Sequence, residues 1–278
     1  MKLAYGTYGL PGVMPEDAVP RLAEIGYEGL EITAIERFCA DPNQMDAARR
    51  GALRDLLQKH GVAVPSLMLL LKVMGDEEGL HEQNLEEFRK AAQLSVDLTV
   101  GRTPVVTSTM GGGKGPWEEF RQELIRRLKD YAAIAKELGV VFAIEPHVGG
   151  QFDVPEKAVW VMENMKDPNI KVNFDISHFA VVDMTIEQCV PVFVPHAVHT
   201  HVKDGRMEDG KVKFLLPGEG DFDYIAYFKA MAEAGWDDFI TVEVSGMVSN
   251  RPDYDPYQAA AFCYKVLSDA MKEAGVGG

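Results

Sequence analysis

Eight times along the chain a short apolar run gives way to a longer amphipathic stretch, and this alternation constrains the fold more than any other feature. The runs at 3–7, 27–33, 62–71, 104–110, 140–147, 170–178, 197–204 and 239–244 read as strands. The stretches at 15–25, 44–60, 82–97, 117–138, 155–165, 186–193, 224–234 and 257–274 read as helices. In the fourth of these, Leu124, Leu128, Tyr131 and Ile134 recur at helical spacing. Gly26, Gly61, Gly139 and Gly235 each close a helix just before a strand, where a left-handed cap favours glycine. Strict alternation implies parallel strands joined by crossover helices. Eight units in 278 residues, about 35 each, favour a closed (β/α)8 TIM barrel of α/β class as a single domain over 1–278. An open doubly wound sheet is the alternative, but Thr7-Tyr8-Gly9-Leu10-Pro11-Gly12 after the first strand lacks the dinucleotide glycine spacing. The longest connection, 205–223, is expected to form a flap over the mouth of the barrel, turning at Gly218-Glu219-Gly220.

Charge narrows the partners. With 28 basic and 43 acidic residues, the chain carries a net charge of −15, which argues against nucleic acid and against an anionic membrane surface. The longest apolar stretch, 62–74, is too short to span a bilayer and contains Pro65 and Lys72. Cys39, Cys189 and Cys263 are odd in number and far apart, which fits a reducing cytoplasm better than a disulfide framework. No secretory apolar run follows Met1, so a cytoplasmic location is expected.

A barrel of this kind does its chemistry where the strands end. The fifth strand ends in Glu145-Pro146-His147 and the sixth passes Asp175 to His178. The seventh carries His201, Lys203 and Asp204, and the eighth ends around Glu243. The spacings of 30, 26 and 42 residues between Glu145, Asp175, His201 and Glu243 each fit one barrel unit, the last lengthened by the flap. A carboxylate inside an apolar strand is costly unless it is paired or bound to a cation. Three carboxylates and one imidazole suit a single divalent ion, Mn2+ first, with Mg2+, Co2+ or Zn2+ as alternatives. Taken singly, each of these residues could equally be a hydrogen-bonded rim group. Lys203 either holds a substrate oxygen or pairs with Asp204, and His147 is an acid–base group, a substrate contact or a rim histidine. Glu31 is a candidate for a supporting role behind the ion or for a substrate contact, and His199 is either a group of the inner barrel layer or a supporting partner of the ion. Gly111-Gly112-Gly113-Lys114 lacks the spacing of a phosphate-binding loop.

On these residues the sequence resembles the xylose isomerase-like TIM barrel superfamily of sugar isomerases and epimerases. The resemblance covers nearly the whole chain and includes the segments 22–32 and Gly218-Glu219-Gly220-Asp221-Phe222-Asp223. It implies, as in the ketose 3-epimerase-like branch, one metal ion held by Glu145, Asp175, His201 and Glu243. It also implies substrate contacts at His178 and Arg206, with Lys203 at a strand end common in the superfamily. His147-Val148-Gly149-Gly150-Gln151 departs from the segment that usually grips the sugar in the epimerases.

The function expected from this is a metal-dependent isomerase or epimerase acting on a sugar or keto-polyol. Glu145 and Glu243 would move the proton beside a carbonyl, with His147 as a further catalytic group. The alternative is a lyase on the same scaffold, of the inosose dehydratase or C-glycoside-cleaving kind, acting with a small partner subunit in the latter case. A homo-oligomer is open in either case. A DNA-repair nuclease of the endonuclease IV kind would need histidines at strand ends that here read Met68-Leu69-Leu70-Leu71 and Thr107-Ser108-Thr109-Met110. A barrel that binds without catalysing is the remaining alternative.

Overall fold

In the computed structural model, which describes residues 1–277, the eight apolar runs close into a parallel barrel. β1 (Lys2–Gly6) leads through α1 (Pro15–Ile25) to β2 (Gly29–Thr33), and α2 (Ala47–His60) leads to β3 (Leu67–Met68). Then follow α3 (Leu80–Leu98), β4 (Val105–Thr109), α4 (Trp117–Leu138), β5 (Val141–Glu145), α5 (Pro155–Met165) and β6 (Ile170–Asp175). A four-residue helix, α6 (Ser177–Ala180), and α7 (Ile186–Phe193) precede β7 (Ala197–Val202). The hairpin β8 (Asp204–Glu208) and β9 (Lys211–Leu215) comes next, then α8 (Tyr224–Glu233), β10 (Phe239–Val242), α9 (Gly246–Ser249) and α10 (Pro256–Ala274). The ring closes where β1 pairs with both β2 and β10. Among the described residues no helix is long and apolar enough to cross a membrane.

The helices seal the barrel with apolar stripes. α4 buries Phe120, Leu124, Leu128, Tyr131 and Ala135 on one face, which is the periodicity legible in its sequence. Gly61 and Gly139 take positive φ at the ends of α2 and α4, where any side chain would be strained.

Two expectations need correction. The third strand is two residues long, not ten, although Ala63 makes an isolated bridge to Gly29. Pro65 has no N–H to give a ladder, so regular pairing starts beyond it. The expected flap is an antiparallel hairpin that turns at Asp209-Gly210, both at positive φ. The Gly218–Gly220 segment is a second turn, wrapped on the Asp204 carboxylate, which accepts from the N–H groups of Gly218 (2.9 Å) and Gly220 (3.2 Å). A Cβ on Gly220 would lie 2.5 Å from Asp204 Oδ1, so this backbone approach requires glycine.

Candidate active site

The ends of β5, β6 and β7 and the residue after β10 bring polar side chains to the barrel mouth, because alternate residues of a strand face the same side. Glu145, Asp175, His178 and Glu243 each offer a ligand atom, and these atoms lie within 4.8 Å of one another. His201 Nδ1 stands beside them, 3.8 Å from Glu145 Oε2 and 3.7 Å from Glu243 Oε2. Three of the four residues expected to bind an ion therefore converge with His178, and His201, the fourth, stands at the edge of that group. α6 begins two residues beyond Asp175, turns the chain over the mouth and brings His178 Nε2 to 2.9 Å from Glu145 Oε1. Ser177 caps Asp175 Oδ1 through its backbone N–H and its hydroxyl.

Lys203 is the residue whose place the sequence left most open. Its ammonium is buried between the carboxylates of Asp175 and Glu243, with the ring of Phe214 from β9 beneath it at 4.9 Å. It does not pair with Asp204, whose carboxylate is taken up by the turn at 218–222. Arg206 lies on the exposed hairpin, where its guanidinium reaches Glu208 (3.5 Å). The His147 ring lies against His178, tilted by 41° with centroids 3.9 Å apart, and its Nδ1 meets the carbonyl of Val148 at 2.8 Å. In that contact Nδ1 donates to the carbonyl, so the ring's other nitrogen, Nε2, is not used by it.

Beside Glu145 opens a cavity of about 510 Å³, bounded by the two glycine-rich loops after β4 and β5. Its walls include Thr109, Met110, His147, Gln151 and Phe152. This volume falls in the range of small-molecule sites.

The electrostatics follow from burial and opposite charge. Burial alone would raise the Glu145 carboxyl, but the hydrogen bond from His178 and the charges of His201 and Lys203 hold it down at about 2. Asp175 is pushed well below the usual carboxylate range against its burial, chiefly by Lys203. Lys203 is raised in turn by Asp175 and Glu243 despite its burial. Desolvation lowers His178 and His199, so both are neutral at pH 7. Burial opposes charge on His201 as well, but Glu31 and the site carboxylates raise it to about 10.

The donor set fits a divalent cation. Glu31, Glu145, Asp175 and Glu243 face one ammonium and at most one imidazolium, so negative charge is left without a partner at a buried centre. Such an excess is costly unless a further cation joins it. The side-chain amide of Asn173 lies between Glu145 Oε2 (3.1 Å) and His201 Nδ1 (3.0 Å). In the ion-free centre the carboxylates favour a proton on that nitrogen. A cation held among them would take that proton's place.

Sequence reasoning gave no sign of Asn173 or Ser66 in this network. Both sit in apolar strand contexts, and only the convergence of strands brings them to the site.

A family model described as xylose isomerase-like TIM barrel matches residues 19–265. An inosose isomerase from Bacillus velezensis is 24% identical over 241 residues, covering 82% of this chain and 81% of the relative. An inosose dehydratase from Geobacillus kaustophilus is 22% identical over 284 residues, covering 91% and 84%. Among solved structures, the IolI protein with a bound zinc atom superposes with a TM-score of 0.77 at 21% identity, covering 99% and 98%. A D-psicose 3-epimerase in the presence of D-fructose gives 0.79 at 13% identity, covering 99% and 100%. The two structural likenesses carry the fold alone, whereas the family match spans most of the sequence. The chain belongs to the xylose isomerase-like TIM barrel family.

Proposed function

We propose that this chain is a divalent-metal-dependent enzyme that removes a proton next to the carbonyl of a sugar or keto-polyol, as an isomerase or epimerase. The observation that carries this reading is the convergence of Glu145, Asp175, His201 and Glu243 from four successive barrel strands. In this reading those four side chains hold one ion, Mn2+ first, with Mg2+, Co2+ and Zn2+ also suited to the donor set. When bound, the ion supplies Lewis-acid stabilisation of negative charge on the substrate oxygens.

The remaining work falls to the chain itself. Glu145 and Glu243 project from β5 and β10, with β6 and β7 between them, so they can flank one substrate carbon. One takes the proton as the enediolate forms and the other returns it on the opposite face. The buried ammonium of Lys203 lies within reach of the same oxygens and can hold a substrate hydroxyl. His178 keeps Glu145 ionised and oriented and meets substrate at the site's edge, while Arg206 is available to the distal end of the substrate from the hairpin.

One observation favours a lyase as the second reading. His147 lines the cavity beside Glu145, where its ring can serve as the additional acid or base that loss of a β-substituent requires. The inosose dehydratases among the relatives add weight to this course.

Incubation of the Mn2+-loaded protein with ketoses and inososes in deuterated water, followed by NMR and mass spectrometry, tests both readings. An isomerase or epimerase returns a product of unchanged composition carrying deuterium next to the carbonyl. A dehydratase returns a product lighter by one water. Absence of ion-dependent exchange across that panel would overturn the proposal.

A further inference from the structure

Behind His201, on the side away from the site carboxylates, lies a buried group that the chemistry above does not use. Glu31 of β2 accepts from Ser66 Oγ (2.5 Å) and pairs with His199 Nε2 (3.0 Å). Its two oxygens also meet His201 Nε2 at 2.9 and 3.0 Å. Glu31, Ser66, His199 and His201 are all fully or almost fully buried. Glu31 accepts from the Ser66 hydroxyl and faces a ring nitrogen of His199 and of His201, and donation from each satisfies the carboxylate, which commits the Nε2 proton of His201. The other ring nitrogen, Nδ1, is then the one turned towards Glu145, Glu243 and Asn173.

We infer that Glu31 is a positioning residue that fixes His201 in its Nε2–H form and presents Nδ1 to a cation held among the site carboxylates. The inference rests on the proposed metal centre. Its physical content is that an imidazole free to change tautomer would spend part of its time with a proton, not a lone pair, aimed at the ion. Ser66 and His199 also hold Glu31 Oε2, so the carboxylate is fixed where it meets His201. Glu31, His199 and His201 are also close enough together to hold an ion themselves. Their ligand atoms, however, are already matched donor to acceptor, and the group carries no excess of acceptors comparable to that at the mouth.

Zinc alone is a sufficient probe. In zinc-loaded wild-type protein, nitrogen-15 spectra of labelled histidine should show His201 protonated at Nε2 and ligated through Nδ1. Competition with a chromophoric chelator should show Glu31→Gln binding zinc about 10–100-fold more weakly. Ser66→Ala, which removes only one anchor of the carboxylate, should lose a few-fold and serves if Glu31→Gln does not fold. In a His201→Ala background, Glu31→Gln should cost no further affinity, because Glu31 acts through that ring. A purely structural Glu31 would lower the melting temperature and leave zinc affinity unchanged, and that result overturns the inference while the metal centre stands. Ligation of zinc through His201 Nε2, or by Glu31 and His199, also overturns it. Failure of the wild-type protein to bind zinc, manganese or magnesium removes the metal centre and this inference together.

Discussion

Replacing Lys203 with methionine separates its two roles, as the internal partner of the carboxylates and as a rival of the ion. The thioether keeps most of the volume and removes the charge that lies between Asp175 and Glu243. Removing one partner of a buried ion pair costs about 3–5 kcal/mol, because the other charge is left uncompensated. A chain of 278 residues has an unfolding entropy of roughly 0.6 kcal/mol/K, from about 2.1 cal/mol/K per residue. The ion-free variant should therefore melt about 5–9 °C below the wild type. A divalent ion seeks the same carboxylate oxygens and is repelled by the ammonium, so Lys203→Met should bind Mn2+ at least tenfold more tightly, about 1.4 kcal/mol or more. Saturating Mn2+ should then raise the melting temperature of the variant by more than that of the wild type. Differential scanning calorimetry with and without ion, together with isothermal titration, measures both effects. An unchanged ion-free midpoint would refute the idea that Lys203 compensates the acids. Weaker Mn2+ binding by the variant would refute the competition.

Ion affinity should rise with pH. His201 in the ion-free protein is raised to about 10 and holds a proton at neutral pH, which ligation through Nδ1 must displace. The apparent dissociation constant should fall about tenfold per pH unit from 7 to 9 and level off above 10, and titration that releases no proton at pH 8 would contradict this. Glu243→Gln should lower turnover by about 10²–10⁴ and abolish exchange of the carbon-bound hydrogen with deuterated water. Should exchange survive in Glu243→Gln and vanish in His147→Ala, His147 is the base and the lyase reading leads. His178→Ala and Arg206→Ala should raise KM or lower kcat while the ion stays bound, as elemental analysis of the purified variants would establish. Gly220→Ala drives a methyl group into Asp204 and should loosen the β8–β9 hairpin, read as faster amide exchange over 204–222.

The barrel was legible because each of its units repeats one local logic: an apolar strand, an amphipathic helix and a glycine that ends the helix. Glu145, Asp175, His201 and Glu243 were legible for a related reason, since an acid at the end of an apolar run is conspicuous and barrel topology sends all such ends to one rim. The two-residue β3 was not, because the apolar content of 62–71 hides the missing donor of Pro65. The hairpin carried a signal that the flap expectation passed over. Asp209-Gly210 between Arg206-Met207-Glu208 and Lys211-Val212-Lys213 is a two-residue turn sequence between short extended segments. The partners of Lys203 were open to sequence reasoning only as a choice between neighbours in the chain. Its actual partners, Asp175 and Glu243, come from the strands on either side of β7. Glu31 illustrates the same limit, since its contact with His201 spans 170 residues and depends on closure of the ring.

The most direct test of the central claim is a crystal soaked in Mn2+ and measured at an energy where manganese scatters anomalously. The account predicts one strong anomalous peak, with Glu145, Asp175 and Glu243 oxygens and His201 Nδ1 at roughly 2.0–2.3 Å, and Lys203 moved off the shared oxygens. A peak bound by Glu31 and His199, or no peak among the four side chains at saturating ion, would contradict it.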